Sequence, residues 1–379
     1  MPEQRALLLS GSIGMGHDVV AEACATSLHQ RQWTTRTLDS IRLMGDRSGS
    51  LGERTFRVML ATPGLYDAFH FHQLRQGGRL AERADRASAH YLVPALDAEL
   101  DREPAELLIS VFATGAGAAS RVKDRHPGLV TAVFCTDVDP HRLWVHGNTD
   151  LYLVTSITAR AFVRRFHPEA EVAIVPTPVR APFYHAPDQV AARAEYGVPA
   201  DARCVLLMGG AWGLGPLLQI ASSLAASGIY TLAVAGRNPR LEAGLRSAAA
   251  GTQGRLIPFG YTDAIASLMA ASDLVITTSG DTCAEARVVG RRLMLLDAVP
   301  GHGRENLQHE LERGNADVAP ADPAGLVRSV LAGLDREPAE LDRSDATPEA
   351  WERAFGAALD RVGLARPAGP AGPQDARVG

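Results

Sequence analysis

The chain predicts an α/β protein built from two Rossmann-like, doubly wound domains that face one another across a cleft. Two glycine-rich turns, Gly11-Ser12-Ile13-Gly14-Met15-Gly16-His17 and Gly209-Gly210-Ala211-Trp212-Gly213-Leu214-Gly215, stand about 200 residues apart, each after an apolar run and before a helix-like stretch. Apolar runs of strand length alternate with helical stretches on both sides of a proline-marked passage, Pro176-Thr177-Pro178-Val179-Arg180-Ala181-Pro182. That passage cannot continue a helix or a central strand, which makes it a hinge.

In the first half, the run Ala6-Leu7-Leu8-Leu9 has the length of a buried parallel strand, and residues 19–30 carry helical apolar spacing. Runs at 107–111, 130–135, 151–155 and 172–175 continue the sheet. In the second half, strands are expected at 205–208, 231–235, 254–258, 274–277 and 292–296, with a helix at 216–226. The same architecture thus appears twice: residues 1–184 form one domain and 185–345 the other. A helix at 346–363 follows, and the Pro/Gly/Ala-rich residues 364–379 have no periodicity and are expected to be disordered.

With 379 residues, 46% of them hydrophobic, the chain has enough apolar material for two separate cores. The net charge of −5 and scattered arginines give no basic stripe, which argues against nucleic acid as a partner. Lys123 is the sole lysine, so neither glycine turn supplies the lysine of a phosphate-cleaving P-loop, and a Schiff-base mechanism would have to rely on that one residue. Cys24, Cys135, Cys204 and Cys283 are far apart without CxxC spacing, the pattern of reduced thiols in a cytoplasmic protein. No run is long enough to span a membrane and no secretory signal is visible, which leaves peripheral contact with the inner membrane face open.

A strand, a glycine turn and a helix together make an anion site, because the amides at a helix N-terminus point at negative oxygens and glycine admits close approach. Residues 42–100 break the sheet pattern after Asp39 and are rich in Arg and rings (Phe56, Tyr66, Phe69, His70, Phe71, His72, Tyr91). Two readings stand: an acceptor platform capping the cleft, or helices that cover the sheet.

The first turn ending in His17, the run from Thr136 through Asp137, Asp139, His141, Arg142, Leu143 and Trp144 to His146, and Pro176-Thr177-Pro178-Val179 resemble the N-terminal half of monogalactosyldiacylglycerol synthase. In the second half, Val234-Ala235-Gly236-Arg237-Asn238, Phe259-Gly260-Tyr261, the stretch 277–286 ending in Ala-Glu-Ala, and Pro300-Gly301-His302-Gly303-Arg304-Glu305-Asn306 fall in order where these enzymes and the related lipid II N-acetylglucosaminyltransferase bind a UDP-sugar. The resemblance covers residues 5–320 and implies a GT-B glycosyltransferase, inverting and metal-independent, needing no cofactor beyond its donor. It moves a hexose or N-acetylhexosamine to a lipid or secondary-metabolite hydroxyl.

Such a transfer needs a base for the acceptor proton and positive groups to hold the leaving diphosphate. The resemblance makes His17 the base, and Asp137, at the carboxyl end of a strand, a group that orients the base or the acceptor. Gly14, Gly16, His141 and Trp144 are then acceptor-binding. The resemblance puts Glu285 on the ribose hydroxyls, with Ser279, Gly280 and Thr282 as a diphosphate loop one residue shorter than the family's. Asp281 is tolerable in that loop if its side chain points away. Gly210 and Trp212 from the second turn, Arg237 and Asn238 after a strand, and Phe259 and Tyr261 beside uracil complete the donor site. Glu305 and Asn306 would contact the hexose. His302 and Gly303 stand where galactolipid synthases tend to have Gln and Glu, which argues against UDP-galactose as a settled donor.

Three other classes compete. In an NAD-dependent oxidoreductase Asp39, about 23 residues after Gly16, would take the ribose acid's place, although the turn reads Gly-X-X-Gly-X-Gly instead of Gly-X-Gly-X-X-Gly. A nucleotide-sugar epimerase needs acid/base groups on both faces of the sugar. A non-enzymatic nucleotide-sugar sensor would keep Glu285 without needing His17.

Overall fold

The computed structural model describes residues 4–11, 16–45, 67, 69–314, 316–336 and 346–364. Within them lie two six-stranded sheets in which every pairing is parallel. The first holds β1 (Arg5–Ser10), β2 (Thr34–Asp39), β3 (Leu107–Ser110), β4 (Val130–Cys135), β5 (Leu151–Val154) and β6 (Glu171–Ile174), in the order β2-β1-β3-β4-β5-β6. The second holds β7 (Cys204–Met208), β8 (Tyr230–Val234), β9 (Leu256–Phe259), β10 (Leu274–Thr278), β11 (Arg292–Leu296) and β12 (Ala316–Val318), in the order β12-β11-β10-β7-β8-β9. Every residue of β3, β5, β7 and β10 is buried, as helices on both faces of a parallel sheet require.

The first half carries the helices α1 (Gly16–Gln30), α2 (Ser40–Leu43), α3 (Arg79–Arg102), α4 (Ala113–Val122) and α5 (Ile157–Phe166). The chain crosses over through α6 (Ala181–Tyr184). The second half carries α7 (Gln189–Tyr196), α8 (Leu217–Ala226), α9 (Pro239–Ala249), α10 (Ile265–Ala271), α11 (Asp281–Val289), α12 (His302–Glu312) and α13 (Pro323–Leu334), and α14 (Pro348–Arg361) closes the chain. Phe183 of α6 packs into the second core, so the crossing falls within the proline passage. Helix α14 returns to the first sheet, where Trp351 stacks on Phe355 at 5.0 Å and joins a core with Leu8, Leu28 and Phe134. Trp351 Nε1 donates to Ser27 Oγ at 2.8 Å, and that hydroxyl donates to Glu352 at 2.5 Å.

The two halves differ in strand order, which corrects the expectation of one architecture repeated. In the second sheet the chain adds two strands outward from β7 before crossing back to β10. In the first it adds only β2, then runs through α2 and α3 and returns as β3 directly beside β1. Residues 42–100 occupy the stretch of chain where a third outward strand would otherwise form. The periodicity also missed β12, a three-residue edge strand.

Both sheets have a point where the strand order reverses, between β1 and β3 and between β7 and β10. Open α/β sheets bind ligands in the crevice at the carboxyl ends of the strands flanking such a point. Residues 12–15, Phe56, Tyr66 and the tail from residue 365 onward lie outside the described residues, and with them Gly14.

Candidate active site

A cavity of about 270 Å³ opens at the β7/β10 reversal, walled by Gly209, Gly210, Trp212, Tyr261, Gly280, Thr282 and Glu285, and closed on the far side by Gly16 and Arg180. The second glycine turn forms one wall because its backbone folds tightly on itself and on the loop after β8. A Cβ on Gly209 would lie 2.1 Å from Leu214 O, and one on Gly213, whose φ is +61°, would lie 2.6 Å from Ala235 O. Arg237 N–H donates to Ala211 O at 2.8 Å and locks the two loops together. Only glycine fits at Gly209 and Gly213.

The opposite wall is the start of α11, where Gly280 provides no side-chain cap, so the first amides of the helix face the cavity with the positive end of its dipole. Asp281 does not point away, in correction of the expectation. Its carboxyl lines the cavity so close to the first domain that a Cβ on Gly16 would sit 2.0 Å from Oδ2. Burial pushes this carboxyl above the usual range, opposed by the charges of His17 and Arg180. A carboxyl with raised pKa is more readily protonated, and in that form it donates a hydrogen bond to a phosphate oxygen instead of repelling it. One turn further along α11, Glu285 is pushed up to about 7 by burial, with Arg180 pulling it down and Asp281 raising it. Arg180 Nη2 donates to Glu285 Oε1 at 3.2 Å.

The remaining donor-site residues divide. Tyr261 lies on the cavity wall with the Arg237 guanidinium 4.9 Å above its ring. Ser279 is buried and donates to Gly303 O at 2.5 Å, tying the loop before α11 to the first turn of α12. Asn238 is occupied as the cap of α9, accepting from Leu241 N at 3.0 Å. The ring of Phe259 points away from the cavity onto Tyr196, 5.7 Å between centroids. Glu305 is held by His70 Nε2 at 3.0 Å and by Arg75, both from the first domain. Asn306 has a buried Oδ1 with no hydrogen-bond partner among the described residues.

His17 begins α1 at the β1/β3 reversal. Its Nδ1 lies 2.7 Å from Val111 O, just past β3, and its ring meets Phe112 edge-on at 5.1 Å. A carbonyl only accepts, so Nδ1 carries the proton and the neutral ring keeps its lone pair on Nε2. The partner that orients His17 is therefore Val111, not Asp137. Asp137 instead accepts from Trp144 Nε1 at 2.7 Å and lies 3.8 Å from His141. Trp144 is fully buried, a core residue and not an exposed rim. His141 is pushed down to about 4 by burial, and His70 and His302 are lowered for the same first reason. Their rings converge, His141 and His302 lying 6.2 and 6.3 Å from His70. Asp139 pairs with Arg75.

The sequence reading did not assign Arg180, His70 or Arg75 to the site. Arg180 lay in a segment legible only as a hinge, and the two others in a segment whose rings and arginines fit helix packing equally well. Asp39, the acid an NAD site would require, caps α2 by accepting from Ile41 N and Arg42 N at 2.8 and 3.2 Å.

Two facing α/β domains with a nucleotide-sized cavity between them define the GT-B fold. Residues 17–175 match the family model for monogalactosyldiacylglycerol (MGDG) synthase. The chain is 30% identical over 201 residues to a processive diacylglycerol beta-glucosyltransferase of Bacillus licheniformis, a match spanning 51% of this chain and 52% of the relative. It is 27% identical over 365 residues to a probable chloroplastic monogalactosyldiacylglycerol synthase 2 of Oryza sativa subsp. indica, covering 90% and 76%. The match thus spans about half the length of the first relative and three quarters of the second. The S. aureus MnaA–UDP co-structure superposes with a TM-score of 0.61 at 12% identity, covering 95% of this chain and 97% of that one. Structures of this fold include a glycosyltransferase and a UDP-N-acetylglucosamine 2-epimerase. The resemblance read from the motifs therefore stands: the chain has the GT-B fold, and its sequence relatives are glycosyltransferases. No helix among the described residues is long and apolar enough to cross a membrane.

Proposed function

We propose that this chain is a glycosyltransferase that moves a hexose from a UDP-sugar to the hydroxyl of a diacylglycerol-type lipid, with inversion at the anomeric carbon. The observation that carries the reading is the division of the cleft: an open helix N-terminus and a buried carboxylate on the second domain, and a histidine with a free lone pair on the first. UDP fits the first arrangement. Ribose hydroxyls donate to Glu285, and the diphosphate meets the amides of α11 and the Arg180 guanidinium. The acceptor hydroxyl approaches His17 Nε2, which takes its proton as the oxygen bonds the anomeric carbon. The C–O bond to UDP breaks on the opposite face and its electron pair leaves with the diphosphate. The named activities of the relatives favour a glycerolipid over a secondary metabolite as acceptor.

Wild-type protein with UDP-glucose or UDP-galactose and vesicles containing diacylglycerol is expected to release UDP and form a lipid heavier by one hexose. Conversion of the nucleotide-sugar without a lipid product identifies an epimerase instead. Thermal protection by NAD and not by UDP overturns both, since only a ligand of the native state raises the unfolding temperature.

A further inference from the structure

The first domain reaches across the cleft and takes hold of the part of the second where a donor hexose would lie. Three of its residues, all in the 42–100 stretch, do this. Asp67 Oδ1 accepts from Gly301 N at 2.6 Å and pairs with Arg304 at 3.0 Å. Gly301 is the N-cap of α12 and has no side chain to cap it, so the carboxylate that serves this helix comes from the other domain. His70, in a tight π-helical turn (His70–Leu74) and 1% exposed, directs Nε2 at Glu305 Oε2. Arg75, directly after that turn, pairs with Glu305 and with Asp139, so its guanidinium is itself fixed from the first sheet.

The consequence falls on Glu305 and Asn306. His70 and Arg75 each engage Glu305, which fixes the plane of its carboxylate, and each oxygen keeps a second acceptor site. The Asn306 Oδ1 beside it is buried and unpartnered, a cost of the kind that bound hydroxyls relieve. Ser279 ties the same helical turn to the loop that precedes Gly280 on the cavity wall. A sugar attached to a diphosphate at α11 therefore extends toward Glu305 and Asn306.

Building on the UDP-sugar reading above, we propose that His70 and Arg75 are positioning residues for donor-sugar recognition. They set the Glu305 carboxylate from across the cleft, so that the hexose is recognised only when the domains are closed on it. The 42–100 stretch thereby acts on the donor, beyond the acceptor or packing role its composition suggests.

The test compares titrations of UDP and UDP-glucose or UDP-galactose in wild-type protein, His70→Ala, His70→Gln and Arg75→Gln. Wild type should bind one UDP-hexose more tightly than UDP. His70→Ala should bind UDP within about twofold of wild type and lose roughly tenfold in affinity for the UDP-hexose, the scale of one hydrogen bond to a charged group. Arg75→Gln should fall in the same direction. The glutamine amide donates where Nε2 did, so His70→Gln should recover most of the loss. Three results overturn the proposal: a hexose increment that survives both His70→Ala and Arg75→Gln, an equal loss of UDP and UDP-hexose affinity, or a wild type that binds UDP but gains nothing from the hexose. A wild type that binds neither ligand overturns the UDP-sugar reading itself, and this inference falls with it.

Discussion

The two glycine turns occupy equivalent places, after the first strand of each sheet, yet their neighbourhoods do opposite work. The second turn packs its backbone against the loop after β8 and leaves an open cavity bounded by a helix N-terminus and a buried acid. The first turn ends on a histidine whose ring is pinned to a carbonyl of the next strand but one. The difference follows the strand order: β3 lies directly beside β1, which brings the Val111 carbonyl to His17. One strand–turn–helix unit thus serves as an anion cradle in one topology and as a holder for a base in the other.

The largest effect expected from disturbing this division is on turnover. His17→Ala should lower the transfer rate by about 10²–10⁴-fold, the usual contribution of a general base, while the protein folds normally. A variant with wild-type turnover removes the base from the first domain. Next in size, Trp351→Ala should cost about 3–5 kcal/mol, because it removes a stacked, buried ring from the first core. Trp212→Ala on the cavity wall should barely move the denaturation midpoint. Similar losses from both would show that Trp212 is a core residue.

Glu285→Gln should weaken UDP binding by roughly tenfold, as loss of an ionised acceptor does. The pH dependence supplies the sign. Because burial raises Glu285 to about 7 in the folded protein, its stabilising contribution is complete below its ordinary pKa and is lost as pH rises through about 7. Thermal unfolding should therefore show Glu285→Gln gaining on wild type between about pH 4.5 and 7 and holding that gain above it. UDP affinity should rise over the same window in wild type only. A flat difference across that range contradicts the burial of this carboxyl. The smallest effect belongs to Gly210→Ala. With φ at +65° and open space around the added methyl, it should cost about 1 kcal/mol by strain alone. A much larger loss would mean that the methyl meets packing not seen here.

Much of this was legible in sequence because apolar strands and glycine turns are local signals. The runs at 130–135, 274–277 and 292–296 became strands at nearly those bounds. Strand order was not legible, since it depends on where residues 42–100 return the chain and not on any local pattern. The same limit governed the site. Glu285 and Gly210 announced themselves by motif and lie on the cavity wall. Asn238 and Phe259 belonged to equally recognisable stretches, yet their side chains are taken by a helix cap and an aromatic contact. Arg180 and His70 act through residues more than 100 positions away, a pairing that only the closed cleft creates.

The account rests on a division of labour between the halves, and calorimetric titration of UDP into wild type, His17→Ala and Glu285→Gln tests it most directly. Binding should survive in His17→Ala and fall roughly tenfold in Glu285→Gln. Loss of UDP binding in His17→Ala with full retention in Glu285→Gln would put the nucleotide on the first domain and contradict the account.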